Sequence, residues 1–254
     1  MSFHQKLKKA ISQNNSLLCV GLDPVKTPLF SFNKKIIDQT HDLVCAFKPN
    51  PAFYEAYGAK GVVELKKTID YIHKKYPMIP VILDAKRGDI GNTNEGYASY
   101  AFKYLEADAM TIMPYMGIES LDVFFKNIDK GLIVGCHSSN PGSKEFQEQK
   151  VNGMPLYHLV ARNLVKAHGK NPNTMIFMGA TFANELVQMR KIVDDMTMLV
   201  PGVGAQGGNV QEFVEAGKNS KGAGLIINSS RGIIFAENPR REAMMLRDQI
   251  NWYR

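Results

Sequence analysis

Residues 80–93 read "PVILDAKRGDIGNT", and the way the first half of this stretch passes into the second decides the fold. "PVIL" is apolar at successive positions rather than alternate ones, as expected of a strand buried on both faces. The run then ends in charge. Asp84 and Lys86 lie two residues apart and share one face of the sheet, and Asp89 falls in the turn beyond. Burying such charges is tolerable only if they satisfy one another or a bound molecule. The stretch is therefore either a structural ion network or an active site at a strand end.

Seven further apolar runs of strand length repeat the pattern on either side: "SLLCVGL" (16–22), "LVCAFK" (43–48), "AMTIMP" (109–114), "GLIVGC" (131–136), "TMIFMGA" (174–180), "MLVPGVG" (198–204) and "GLIINSS" (224–230). Segments of helical spacing lie between them, among them 95–107, 120–128, 157–168 and 183–195, and a closing helix begins at Asn238 as cap with Pro239 at its first position. Eight continuous strands alternating with helices in 254 residues predict one domain over 1–254, a (β/α)8 barrel rather than a doubly wound open sheet. At the N-terminus Phe3, Leu7, Ala10 and Ile11 share a helical face, which predicts a short capping helix rather than a signal peptide. The longest irregular stretch, 137–155 after strand 5, is expected to form a loop or short helix over one end of the barrel.

Composition narrows the function classes. The chain is 44% hydrophobic and 22% charged, within the soluble globular range, and no apolar run approaches a membrane span. Net charge is +7, but the basic residues are scattered over what read as solvated helix faces, without interleaved aromatics. That distribution argues against nucleic acid and suits an anionic metabolite. Cys19, Cys45 and Cys136 sit far apart in or beside apolar runs, reading as reduced core thiols of a cytoplasmic protein. No Cys or His spacing suits zinc, and Met110, Met113 and Met116 read as packing residues.

In a barrel the chemistry lies at the C-terminal strand ends. Those ends carry Asp23 after strand 1, Lys48 at strand 2, Asp84, Lys86 and Asp89 at strand 3, and Ser139 beyond strand 5. Strand 7 runs into "PGVGAQGG" (201–208) and strand 8 into "NSSRGI" (228–233). Either loop alone is better read as a tight βα connection. Gln206 and Arg231 at adjacent strand ends favour phosphate, which Gly202, Gly204, Gly207 and Gly208 would let approach the backbone. A lysine flanked by carboxylates is an ammonium able to stabilise a carbanion and give it a proton, although a charge-neutralising network fits the same residues.

The strings "CVGLDP", "FKPN", "LDAKRGDIGNT", "SSNPG", "PGVGAQGG" and "NSSRG" follow one another in the order found in orotidine 5′-phosphate decarboxylases. Over residues 16–236 the chain resembles the subfamily with "DAKRGDIGNT" at strand 3. The resemblance implies a homodimer that converts orotidine 5′-monophosphate to uridine 5′-monophosphate and CO₂, closing de novo pyrimidine nucleotide synthesis, with neither metal nor organic cofactor. It further implies that Lys86 stabilises and protonates C6 of the pyrimidine while Lys48 and Asp84 hold it in place. Asp89, with Ile90 and Thr93, would reach the partner subunit's site. Asp23 would bind ribose hydroxyls, Ser139 (or its neighbour Ser138) the pyrimidine edge, and Gln206, Ser230 and Arg231 the phosphate. Two competing readings are a Mg²⁺-dependent lyase acting on a sugar phosphate, which Lys48 at the end of strand 2 disfavours, and a silent nucleotide- or RNA-binding barrel.

Overall fold

The computed structural model describes residues 1–179, 183–202 and 209–254. The continuous apolar runs become strands buried along most of their length: β1 (Leu18–Leu22), β2 (Ala46–Pro49), β3 (Ile82–Arg87), β4 (Ala109–Ile112), β5 (Gly131–His137), β6 (Thr174–Met178), β7 (Met198–Pro201) and β8 (Leu225–Ser229). All are parallel, in the order β2-β1-β8-β7-β6-β5-β4-β3. A single bridge between Phe47 and Val81, with the Phe47 N–H donating to the Pro80 carbonyl at 3.1 Å, joins the two ends of the sheet into a barrel. The architecture is the (β/α)8 barrel that the alternation predicts, since strands buried on both faces need helices outside and side chains inside.

Two apolar layers follow from that arrangement. One lies between strands and helices and holds Val20, Phe47, Leu83, Ile112, Val134 and Ile227. The other fills the barrel with Cys19, Ala46, Ile82, Ala109, Ile133, Met175, Leu199 and Ile226. The N-terminal helix α1 (Phe3–Asn14) starts in a capping box of Ser2 and Gln5 and drives Phe3 and Leu7 into the second layer. It closes the N-terminal mouth. Lys6 of that helix bonds both oxygens of Asp108 at 2.9 and 2.8 Å, and Asp108 also accepts from His73 Nε2 and the Val81 N–H.

Several elements are shorter than their sequence patterns. The helical pattern over 120–128 yields a 3₁₀ turn (Glu119–Leu121) and one α-turn (Asp122–Phe125). Past it, the Asn127 N–H and carboxamide both donate to the Phe124 carbonyl, at 3.1 and 3.0 Å. The pattern over 95–107 becomes an α-helix at Gly91–Ser99 that widens into a π-turn at Tyr100–Tyr104. The 137–155 segment folds into a helical turn (Ser143–Phe146) and a two-residue hairpin (Lys150–Val151 with Met154–Pro155). The closing helix runs over Pro239–Tyr253, with the Asn238 side chain accepting from the Arg241 N–H.

Candidate active site

Strand β3 leaves the regular ladder where its charges begin. Leu83 pairs with Met110 and Arg87 with Ile112, so four steps along β3 match two along β4 and the chain bulges between. Lys86 sits in the bulge with φ +48°, a left-handed conformation that costs a non-glycine residue about 1–2 kcal/mol. Gly88 follows because a Cβ there would lie 2.3 Å from the Met113 carbonyl oxygen. The tight turn after β3 thus requires a residue without a side chain.

The bulge brings two lysines onto one carboxylate. Lys48 Nζ donates to Asp84 Oδ2 at 2.7 Å, and Lys86 Nζ donates to Asp84 Oδ1 at 2.6 Å. Lys48 is 4% exposed, whereas the Lys86 side chain is 46% exposed and faces the open end of the barrel. Burial alone would raise the Asp84 pKa, but the two ammonium groups more than offset it and hold the carboxyl well below the usual range. Burial would likewise lower the Lys48 pKa, yet Asp84 and Asp23 turn the net shift upward. The site therefore maintains a buried carboxylate between two ammonium groups. Phe177 lies beneath, its ring centroid 5.7 Å from Lys86 Nζ.

Asp23 and Ser230 meet across β1 and β8. The Ser230 hydroxyl donates to Asp23 Oδ2 at 2.6 Å, and Asp23 Oδ1 is buried without a partner among the described residues. A side chain on Gly21 would place its Cβ 2.7 Å from that of Ser230, so the approach depends on glycine in β1. With Arg231, Gly202 and Asn228 these residues line a cavity of about 200 Å³. Gln206, Gly204, Gly207 and Gly208 lie outside the described residues.

Asp89, Ile90 and Thr93 stand apart from this cluster. The Lys86 ammonium bonds Asp84, not Asp89, whose carboxylate accepts from the Ile90 N–H at 2.7 Å. Within one chain, then, the lysine does not sit between the two carboxylates as the spacing suggested. The turn after β3 carries Asp89 past the lysine, and buried Asn94 fixes it there by bonding both the N–H and the carbonyl of Asp89. Ile90 and Thr93 are exposed.

Beyond β5, the Ser138 N–H donates to Gln147 Oε1 at 2.7 Å, and the Ser138 hydroxyl is engaged with Asn140 and Gln147. Those bonds tie Ser138 to the 143–155 insert and leave Ser139 as the hydroxyl not spent on it. Ser138, Gly135, Phe177, Met113 and Tyr157 line an apolar cavity of about 430 Å³ under the insert. Three contributors escaped the sequence reading: Thr111 beside Asp84, Gln147 behind Ser138, and Glu55, which pairs with Arg87 at 2.6 Å. Thr111 and Glu55 lie 27 and 32 positions from their partners and Gln147 nine, and no local pattern marks any of them. Among the described residues no group of three or more His, Cys, Asp or Glu could hold a metal, and no helix is long and apolar enough to cross a membrane. The thiols of Cys19 and Cys136 are pushed up to about 12 by burial, which makes them poor nucleophiles.

Taken as chemistry, the rim offers an exposed ammonium oriented by a buried carboxylate, an apolar wall, an unpartnered acceptor at Asp23 and a guanidinium at Arg231. Such a set can bind an anion at one side and stabilise negative charge on carbon at the other. Comparison with known proteins agrees. The model of the Orotidine 5′-phosphate decarboxylase / HUMPS family matches residues 16–246. The orotidine 5′-phosphate decarboxylase of Cellvibrio japonicus is 46% identical over 271 residues, covering 99% of this chain and 98% of its own. That of Ralstonia pickettii is 45% identical over 272 residues, covering all of both chains. The solved structure of Leishmania donovani OMP decarboxylase superposes with a TM-score of 0.94 at 39% identity, covering 100% of this chain and 99% of that one.

Proposed function

The chain belongs to the orotidine 5′-phosphate decarboxylase / HUMPS family, and from that premise we propose how its strand-end residues carry out the reaction. The enzyme is a lyase of pyrimidine biosynthesis that converts orotidine 5′-monophosphate to uridine 5′-monophosphate. Losing CO₂ from C6 leaves an electron pair in an sp² orbital that cannot delocalise into the ring, so catalysis must lower the barrier by roughly 20 kcal/mol. The C6–carboxylate bond breaks heterolytically, the pair stays on C6, and the Lys86 ammonium first stabilises it and then gives it a proton. Solvent returns a proton to the amine. Lys48 and Asp84 keep that ammonium in place, and bound substrate covering the mouth would exclude water from it, the condition in which fixed charge acts most strongly.

The observation that carries this reading is the Lys48–Asp84–Lys86 chain, with one lysine buried and the other open to the mouth. Asp23 binds the ribose hydroxyls, since its Oδ1 is a buried acceptor with no partner among the described residues. Ser139 contacts the pyrimidine edge. Gln206, Ser230 and Arg231 hold the phosphate, and their binding energy, remote from the breaking bond, is converted into rate by positioning the ring. The reaction runs without metal or organic cofactor, in the cytoplasm and without nucleic acid.

The working enzyme is a homodimer in which Asp89, Ile90 and Thr93 complete the site of the second copy. In support, Asp89 turns away from its own Lys86, and Ile90, Tyr115 and Met116 expose apolar side chains on the same rim. Mixing Lys86→Ala with Asp89→Ala protein tests this: exchanged heterodimers should recover one intact site, and no recovery after proven exchange would refute shared sites. The test of the reaction is loss of the ultraviolet absorbance of orotidine 5′-monophosphate in EDTA. Wild-type decay abolished by Lys86→Ala supports the assignment, while no decay from folded wild-type protein points to the Mg²⁺-dependent sugar-phosphate alternative.

A further inference from the structure

We propose that Thr111 is a positioning residue for Lys86, its buried hydroxyl holding both the strained backbone of the lysine and the carboxylate the lysine bonds. Thr111 lies in β4 opposite the β3 bulge and is fully buried. Its Oγ1 accepts the Lys86 backbone N–H at 2.9 Å and donates to Asp84 Oδ1 at 3.0 Å. That oxygen also accepts from Lys86 Nζ. A threonine hydroxyl has one proton and two lone pairs, so both bonds form at once.

Backbone and side chain of the same lysine are thereby closed into a small ring: Lys86 N–H to Thr111, Thr111 to Asp84, Asp84 to Lys86 Nζ. The bulge explains the need for it. Where four β3 steps match two β4 steps, the ladder supplies no carbonyl to the Lys86 N–H, and a buried N–H without a partner is costly. Lys86 is also the one non-glycine residue of positive φ within a barrel strand among the described residues. Without Thr111 no hydrogen bond from the described residues remains on the Lys86 N–H to hold the backbone at φ +48° against relaxing to negative φ. The second bond rotates the carboxylate so that one oxygen faces Lys48 and the other Lys86. Thr111 itself need not touch the substrate.

The inference rests on Lys86 acting at C6, so Lys86→Ala is assayed in parallel. Thr111→Val keeps shape and removes the hydroxyl, while Thr111→Ser keeps the hydroxyl and removes the methyl. Expected is a fall in kcat of about 10–100-fold for Thr111→Val with KM changed less than about 3-fold, and kcat within about 3-fold of wild type for Thr111→Ser. Uridine 5′-monophosphate affinity should be unchanged in both. Wild-type kcat in Thr111→Val, equal losses in both variants, or a loss confined to KM would overturn the proposal by assigning Thr111 to packing or binding. Should Thr111→Val not fold, Thr111→Ala replaces it with the same expectation. Full activity in Lys86→Ala would instead overturn the reaction mechanism on which the inference stands.

Discussion

Asp84→Asn tests the electrostatic core of the site and its cost to the fold together. In the wild type one carboxylate accepts from Lys48 at 2.7 Å and from Lys86 at 2.6 Å. A carboxamide can offer its oxygen to only one of them and must turn its NH₂ toward the other. Removing one partner of a buried ion pair costs about 3–5 kcal/mol, while the half-exposed Lys86 pair contributes about 0–1. A surviving ammonium–carboxamide bond and the nearby Asp23 return part of that, so the expected loss is about 2–4 kcal/mol. For 254 residues the unfolding entropy near the midpoint is about 0.5 kcal/mol/K, so Tm should fall by about 4–8 °C.

The pH dependence of that loss gives it a sign. In the wild type the Lys48 pKa is raised above its ordinary 10.5, so its contribution is fully present below that value and lost only as pH rises beyond it. Without that carboxylate, burial is opposed chiefly by Asp23 alone and lowers the Lys48 pKa. The penalty in Asp84→Asn is then largest at neutral pH and relieved as the variant's lysine deprotonates. Calorimetry at about pH 7 and about pH 9.5 should show the Tm gap between the two proteins narrowing with pH. A gap under about 1 °C at both pH values, or one that widens upward, would refute the buried-pair account.

At the opposite mouth, Asp108 is held down to about 2: burial would raise it, but His73 and Lys6 more than offset that. Its stabilisation is present above about pH 4 and lost as pH falls toward 2, so Asp108→Asn should cost about 2 kcal/mol at pH 7, with the difference vanishing in acid melts. Gln147→Ala removes the side chain that bonds the Ser138 N–H and hydroxyl. Steady-state kinetics should show KM raised about 5–10-fold with Tm within about 2 °C of wild type. Asp23→Asn should raise KM about 10-fold or more and lower the melting temperature less than Asp84→Asn does, since Asp23 supports buried Lys48 by charge without hydrogen-bonding it and a carboxamide oxygen can still accept from Ser230.

The barrel itself was legible in the sequence because burial on both faces leaves a mark that needs no partner to be read. "LLCV", "PVIL" and "GLIVG" are apolar at every position, and only a strand between an inner and an outer layer tolerates that. The same logic flagged Asp84 and Lys86, charges ending such a run two residues apart. The runs nevertheless overreach the strands at β4, β6 and β7, which stop at Ile112, Met178 and Pro201.

What the chain could not announce by itself is everything settled between residues distant along it. Period-two alternation put Asp84 and Lys86 on one face, but the bulge that tips Lys86 to φ +48° depends on the register of β3 against β4. Thr111 reads as one more residue of an apolar strand until that register sets it beside Asp84, 27 positions away. Ser138 and Ser139 are equivalent in sequence, and only the folding of Gln147 back onto Ser138 distinguishes them. Residue type and periodicity thus determined which groups lie at the mouth of the barrel, because burial is a local cost. Which of them touch was decided by the tertiary structure alone, because a hydrogen bond is a relation between two elements whose spacing no single element carries.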